Sequence, residues 1–267
     1  MSSATIVRSE TRVEDGIRIL TLDGPETRNS IGPAQYDALR AAIVDAGADV
    51  SLRAIVLHGV GGFFSSGGNV HALTESRAKP RSEAFRNTDL LGGLILAIRA
   101  CPIPVIAAVE GGAAGLGLAL ALSCDMIAAS AEAKFTAAYV RIGLTPDGGT
   151  TYFLREALPR QLVSEMCMLG RTLSAERLYA AGVVNVLTAE GGAQAAALEL
   201  ASACAGGAPE AIAVIKHEIE AVPANSLASQ LELEAHGINT ARFGEEAGEG
   251  LQAFLEKRRP RFPGRTD

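Results

Sequence analysis

Two glycine-dense segments carry the main-chain chemistry that this sequence offers. In one, Ala107-Ala108-Val109 passes through Glu110-Gly111-Gly112-Ala113-Ala114-Gly115 into the apolar run Leu116 to Ser123, the order of a buried strand, a tight turn and a helix. The first amides of a helix lack intrahelical acceptors and lie at the positive end of its dipole, and glycine lets a ligand approach the bare backbone. In the other, the strand-like Arg53 to Gly59 leads to Phe63-Phe64-Ser65-Ser66-Gly67-Gly68-Asn69-Val70, a loop able to turn its amides outward. Two such amide sources can hold an oxyanion as it develops on a carbonyl. Each segment alone is equally consistent with a structural turn.

The elements around these loops read as an α/β alternation. Ser3 to Glu10 and Gly16 to Leu22 alternate around Glu14-Asp15-Gly16, a hairpin pattern, and Pro33 to Ala46 has apolar residues at helical spacing with proline in the first turn. Strand-like runs recur at Ala54 to Leu57, Val105 to Val109 and Met126 to Ala129, with helix-like segments near Glu83 to Arg99 and Leu116 to Ser123 between them. The pattern fits a doubly wound sheet as well as a spiral of repeated ββα units. From Arg160 onward helical patterns dominate: Gln194 to Ala203, Pro209 to Ala221, Leu227 to Thr240 and Glu245 to Lys257. Their apolar stripes need packing partners.

At 267 residues the chain can bury a substantial core, and no stretch reads as a flexible linker. We read residues 1–205 as a core and 206–267 as a helical C-terminal extension. A formal charge of −6 leaves no long basic stripe to displace counterions, which argues against nucleic acid as a partner. The apolar run from Glu110 to Asp125 is shorter than the roughly 20 residues of a membrane span. With no secretory pattern at the start, the expectation is a cytoplasmic protein without a membrane partner. Cys101, Cys124, Cys167 and Cys204 are too scattered for a zinc pattern or a disulfide framework and read as small hydrophobes.

Taken together and in this order, the two loops resemble those of the crotonase family, the enoyl-CoA hydratase/isomerase superfamily. The resemblance extends from Ile19-Leu20-Thr21-Leu22-Asp23 and Arg28-Asn29-Ser30 through Ile142-Gly143-Leu144-Thr145-Pro146-Asp147-Gly148-Gly149 to Glu249-Gly250-Leu251-Gln252-Ala253-Phe254. It implies a crotonase-like spiral of ββα units with a helical C-terminal region that closes the site and completes a homotrimer or a dimer of trimers. It also implies an acyl-CoA or enoyl-CoA thioester as partner. No separate cofactor is then required, because CoA arrives as part of the substrate.

Carried over residue by residue, the resemblance places one oxyanion amide on Gly68 and the other on Leu116, where the family commonly has glycine. A backbone N–H serves with either side chain, although Leu116 also reads as packing for the helix start. Arg28 falls at a basic position near the CoA nucleotide, with a solvated loop arginine as the other reading. Ser66, Gly68, Asn69 and Val70 fall at CoA-binding positions, Asn69 replacing a frequent aspartate and retaining a helix-cap role. The short basic cluster Lys257 to Arg261 reads as a solvated tail or a phosphate contact. His58, at a strand end, reads as structural, His71 as a polar loop group close to the oxyanion loop, and His217 and His236 have no identifiable partner.

The two glutamates that hydration uses in this family are replaced by Ala119 and Tyr139. Alanine exchanges no proton, and a phenol is a poor base at neutral pH. One carboxylate remains, Asp147, at a position where some crotonase-like isomerases and a dehalogenase branch carry their working aspartate. It reads either as a proton shuttle or as the N-cap of the following helix. The expected activity is enoyl-CoA isomerisation with Asp147 as shuttle. The alternatives are a hydratase with an atypical site, a dehalogenase-like enzyme with Asp147 as nucleophile, and a non-catalytic acyl-CoA-binding protein.

Overall fold

A computed structural model describes residues 4–262. β1 (Ile6–Arg12) and β2 (Ile17–Asp23) form the expected antiparallel hairpin, with Ile6 opposite Asp23 and Arg12 opposite Ile17. The expected start of this hairpin at Ser3 lies outside the described residues. α1 (Pro33–Ala48) opens on Pro33 and buries Leu39 and Ile43. β3 (Ala54–Gly59) then adds to β2 in parallel, and after α2 (Val70–Ser76) and α3 (Arg81–Ala100), β4 (Val105–Val109) adds to β3. These strands are buried on both faces, so they are continuous apolar runs rather than alternating ones.

Beyond β4 the chain repeats a unit. β4 continues into the short β5 (Gly112–Ala114) and then α4 (Leu116–Leu122). The next turn runs β6 (Met126–Ser130), β7 (Lys134–Thr136), α5 (Thr150–Ala157) and α6 (Arg160–Leu169). β8 (Thr172–Ser174), α7 (Ala175–Ala180) and β9 (Val186–Thr188) follow. One sheet has the order β1-β2-β3-β4-β6-β9 and a second the order β5-β7-β8. Successive turns thus supply a strand to each sheet before a helix, which is the ββα spiral and not a doubly wound sheet. β8 and β9 interrupt the region read as helical after Arg160, because strands of three residues are too short to show a period.

One face of the large sheet packs against Leu39 and Ile43 of α1 and Leu94 and Ile98 of α3. The other face receives α8 (Ala193–Ala205), whose Ala193, Ala197 and Ala201 meet Ile17, Val56 and Ile106; small side chains let this helix lie close. α9 (Pro209–Ala221), α10 (Leu227–Arg242) and α11 (Glu245–Glu256) complete the chain.

α9 is fastened by a buried cation. Lys216 Nζ donates to Ile98 O at 3.0 Å, Ile103 O at 3.3 Å and Asp125 Oδ2 at 2.7 Å, and Asp125 also accepts the Val105 N–H at 2.7 Å. The carboxylate of Glu246 accepts the N–H groups of Glu210 and Ala211 at 2.8 and 3.1 Å, placing negative charge at the α9 N-terminus. Large apolar residues of the last helices remain uncovered, with Phe243 at 87% and Phe254 at 81% exposure. No single described helix is long and apolar enough to cross a membrane. The four cysteines are unbridged, with Cys101 and Cys124 buried and Cys167 and Cys204 half-buried.

Candidate active site

The two glycine-dense loops meet at one place. Ser65 forms a parallel bridge with Ala113 of β5, with Ala114 N–H donating to Ser65 O at 3.0 Å, so residues 63–67 run alongside the entry to α4. Two glycines permit this approach. At Gly67, with φ of +87°, a Cβ would lie 2.8 Å from Leu116 N, and at Gly117 a Cβ would collide with Ser65 O.

Asn29 holds the loop from the other side. Arg28 and Asn29 are both left-handed, at φ of 51° and 55°, a conformation that asparagine tolerates better than most residues. Fully buried, Asn29 accepts the Gly24 N–H at 2.9 Å and donates to Val60 O at 2.9 Å and Phe63 O at 2.6 Å. Ser65 Oγ donates to Asn29 O at 2.8 Å and accepts the Gly67 N–H at 3.1 Å. Ser66 donates through Oγ to Thr27 O at 2.9 Å and through N–H to Arg28 O at 2.8 Å. Asn29 and Ser65 have no assigned role in the sequence reading. The only sequence signal for Asn29 is an asparagine in a loop, a residue type that accepts αL.

Within this frame, the Gly68 and Leu116 N–H groups have no protein acceptor among the described residues, although Leu116 is buried. The Leu116 side chain packs as well: a Cβ on Gly148 would lie 3.0 Å from Leu116 Cδ1 and 3.0 Å from Ala119 Cβ. Leu116 therefore serves the helix start with its side chain while its amide stays unpaired. The same contacts put the Asp147-Gly148 segment against Ala119.

Asp147 lies at the edge of a cleft of about 190 Å³ lined by Tyr36, Gly68, Leu73, Leu91 and neighbouring residues of α1, α2 and α3. The helix-cap reading does not describe its side chain. Gly149 occupies the N-cap of α5, and the Thr150 N–H and hydroxyl donate to the Asp147 main-chain oxygen at 3.1 and 2.8 Å. The carboxylate instead accepts the Tyr139 O–H on Oδ1 at 2.8 Å. Burial pushes the Asp147 carboxyl above the usual carboxylate range, against the lowering effect of the Tyr139 hydrogen bond. Burial and the nearby carboxylate both push the Tyr139 and Tyr36 phenols well above the ordinary tyrosine range. Both phenols are neutral donors at ordinary pH, which removes Tyr139 as a base for activating water.

Of the remaining predicted residues, Asn69 lines this cleft, whereas Arg28, Ser66 and Val70 are not among its lining residues. Asn69 caps α2, its Oδ1 accepting the His71 and Ala72 N–H groups at 2.9 and 3.2 Å. Val70 is exposed, and the Arg28 guanidinium lies over the Phe63 ring at 5.4 Å. Ser66 and Asn69 have committed their side chains to the protein, so their main-chain groups are what a ligand would meet.

Comparison with known proteins identifies the family. The family model described as Enoyl-CoA hydratase/isomerase matches residues 12–265. A protein named "Probable enoyl-CoA hydratase" from Rhodobacter capsulatus is 34% identical over 253 residues, covering 95% of this chain and 96% of the relative. The 1,2-epoxyphenylacetyl-CoA isomerase of Escherichia coli K12 is 31% identical over 254 residues, covering 95% and 97%. A crystal structure of an enoyl-CoA hydratase from Polaromonas sp. JS666 superposes with a TM-score of 0.93 at 39% identity, covering 98% of this chain and 100% of that one. The chain belongs to the enoyl-CoA hydratase/isomerase family, with the crotonase fold, and is an acyl-CoA enzyme.

Proposed function

We propose that the protein is an enoyl-CoA isomerase in which Asp147 moves a proton between two carbons of the acyl chain. The observation that carries this reading is the Asp147 carboxylate itself. It lies in the cleft, it is not spent on capping α5, and Ala119 and Tyr139 offer no second carboxylate beside it. In the reaction, a C–H bond next to the thioester carbonyl breaks and its proton passes to Asp147. The electron pair moves into the carbonyl oxygen as a dienolate, stabilised by the Gly68 and Leu116 amides. Asp147 then returns the proton to the far carbon, and the double bond moves into conjugation.

Arg28, with the main-chain groups of Ser66, Gly68, Asn69 and Val70, would bind the CoA portion, and no further cofactor enters the reaction. The uncovered apolar residues of α10 and α11 support a homotrimer or a dimer of trimers. The deciding experiment incubates the protein with 2-enoyl- and 3-enoyl-CoA thioesters in D₂O. Double-bond migration with deuterium entering the acyl chain is the expected result. Hydration without migration would replace the isomerase reading with the hydratase one, and binding without either would make the protein a carrier of acyl-CoA.

A further inference from the structure

Tyr139 lies in the short 3₁₀ turn Ala138–Ile142, on the path from β7 to the Asp147 loop. It is buried, with its hydroxyl 2.8 Å from Asp147 Oδ1 and 3.3 Å from Thr150 Oγ1. The Thr150 hydroxyl donates to Asp147 O at 2.8 Å, so the single phenolic proton is directed to the carboxylate. Oδ2 has no side-chain hydrogen-bond partner among the described residues, and the carboxylate's other donor is the main-chain N–H of Asp147 itself. A carboxyl group with both oxygens free rotates broadly about its last torsion and offers either oxygen to a substrate. A hydrogen bond to one oxygen from a buried, rigid ring removes that freedom, and proton transfer depends on such placement.

We propose that Tyr139 is a positioning residue that pins Asp147 through Oδ1 and leaves Oδ2 as the one atom that takes and returns the proton. This inference rests on Asp147 being the proton shuttle and specifies how it is aimed. The hydrogen bond has a second effect. It is stronger to the charged carboxylate than to the neutral acid, so it counters burial and keeps Asp147 available as a base. The titratable groups that face Asp147 are Tyr139 and Tyr36 of α1. The neighbouring cleft and packing residues Leu73 of α2, Leu91 of α3, and Leu116 and Ala119 of α4 carry no charge, and α5 contributes the Thr150 hydroxyl. Tyr139 is therefore the side chain through which the sequence tunes this carboxylate.

The test combines carboxyl ¹³C NMR titration of the full-length protein with kinetics on trans-3-hexenoyl-CoA. The Asp147 resonance is assigned by its loss in Asp147→Asn. In Tyr139→Phe the Asp147 midpoint should move to higher pH. The acidic limb of the kcat profile should move with it, and kcat should fall about 10- to 100-fold, the scale of a hydrogen bond to a charged group, with KM nearly unchanged. Fluorotyrosine introduced at Tyr139, a stronger donor of the same shape, should restore kcat and move the midpoint below that of the unmodified protein. An Asp147 midpoint that stays in place in both proteins would overturn the pinning, whatever the turnover. If Tyr139→Phe does not fold, the fluorotyrosine titration decides alone. Turnover lost in Asp147→Asn but unaltered in Tyr139→Phe also overturns it. Unaltered turnover in Asp147→Asn instead overturns the role of Asp147 itself, while the titration still reports on the hydrogen bond.

Discussion

The two parts of the candidate site are made from different material. On one side, the loop from Phe63 to Gly68 and the start of α4 present main-chain N–H groups, held by a dense set of bonds around Asn29 and Ser65. On the other, the Asp147 corner is a pair of side chains joined by one hydrogen bond. A surface built of backbone accepts changes of side chain, so Leu116 can pack the helix start while its N–H stays unpaired. A surface built of two side chains changes its chemistry with either one. In the proposed function the amide side holds the thioester oxygen and the Asp147 side moves the proton.

If that division holds, the largest effect comes from the side-chain corner. Asp147→Asn should retain acyl-CoA binding while isomerisation and solvent deuterium exchange fall by roughly 10²–10⁴-fold, measured by product analysis in D₂O. Normal turnover on a substrate that the wild type processes would remove Asp147 from the chemistry. The amide side should respond to loss of a donor rather than of a side chain. Gly68→Pro should cost roughly 10²-fold in kcat, with circular dichroism as the folding control, whereas Leu116→Gly should change kcat much less. Equal losses in the two would break the contrast.

Asn29→Ala should act on stability first. It leaves a buried N–H and two part-buried carbonyls without their partner and should lower the unfolding free energy by about 1–3 kcal/mol in urea titrations. The smallest effect has the opposite sign. The Asp147 carboxyl titrates above its unfolded value, so its contribution to stability is full below the unfolded carboxyl range and is lost as pH rises through the folded one. Asp147→Asn should therefore be slightly more stable than wild type at neutral pH, and the gain should vanish in acid, as thermal melts across pH would report.

Much of the frame was legible in the sequence, because long elements declare themselves by period and by caps. Pro33 starts α1, Asn69 caps α2, and Pro209–Ala221 is a helix as expected. The strands β5, β7, β8 and β9 have three residues each, too few for a pattern, and they exist through their neighbours. The same limit applied at the site. The family resemblance singles out Asp147 and Tyr139, but the bond between them depends on a 3₁₀ turn and a left-handed Gly149 that no periodicity encodes. Asn29 was passed over because its work is done by three contacts with distant main chain.

The lysine that fastens α9 bears on the order in which the protein is made. Ile98, Ile103 and Asp125 leave the ribosome about ninety residues or more before Lys216, which bonds to all three. Until then the Asp125 carboxylate has the Val105 N–H but lacks the Lys216 ammonium, Ile103 O lacks its donor, and Ile98 O has only the Cys101 N–H at 3.4 Å. The nascent core therefore keeps an opening that only the last quarter of the chain can close. A chain that ended before α9 would therefore carry the Asp125 carboxylate without its counter-charge.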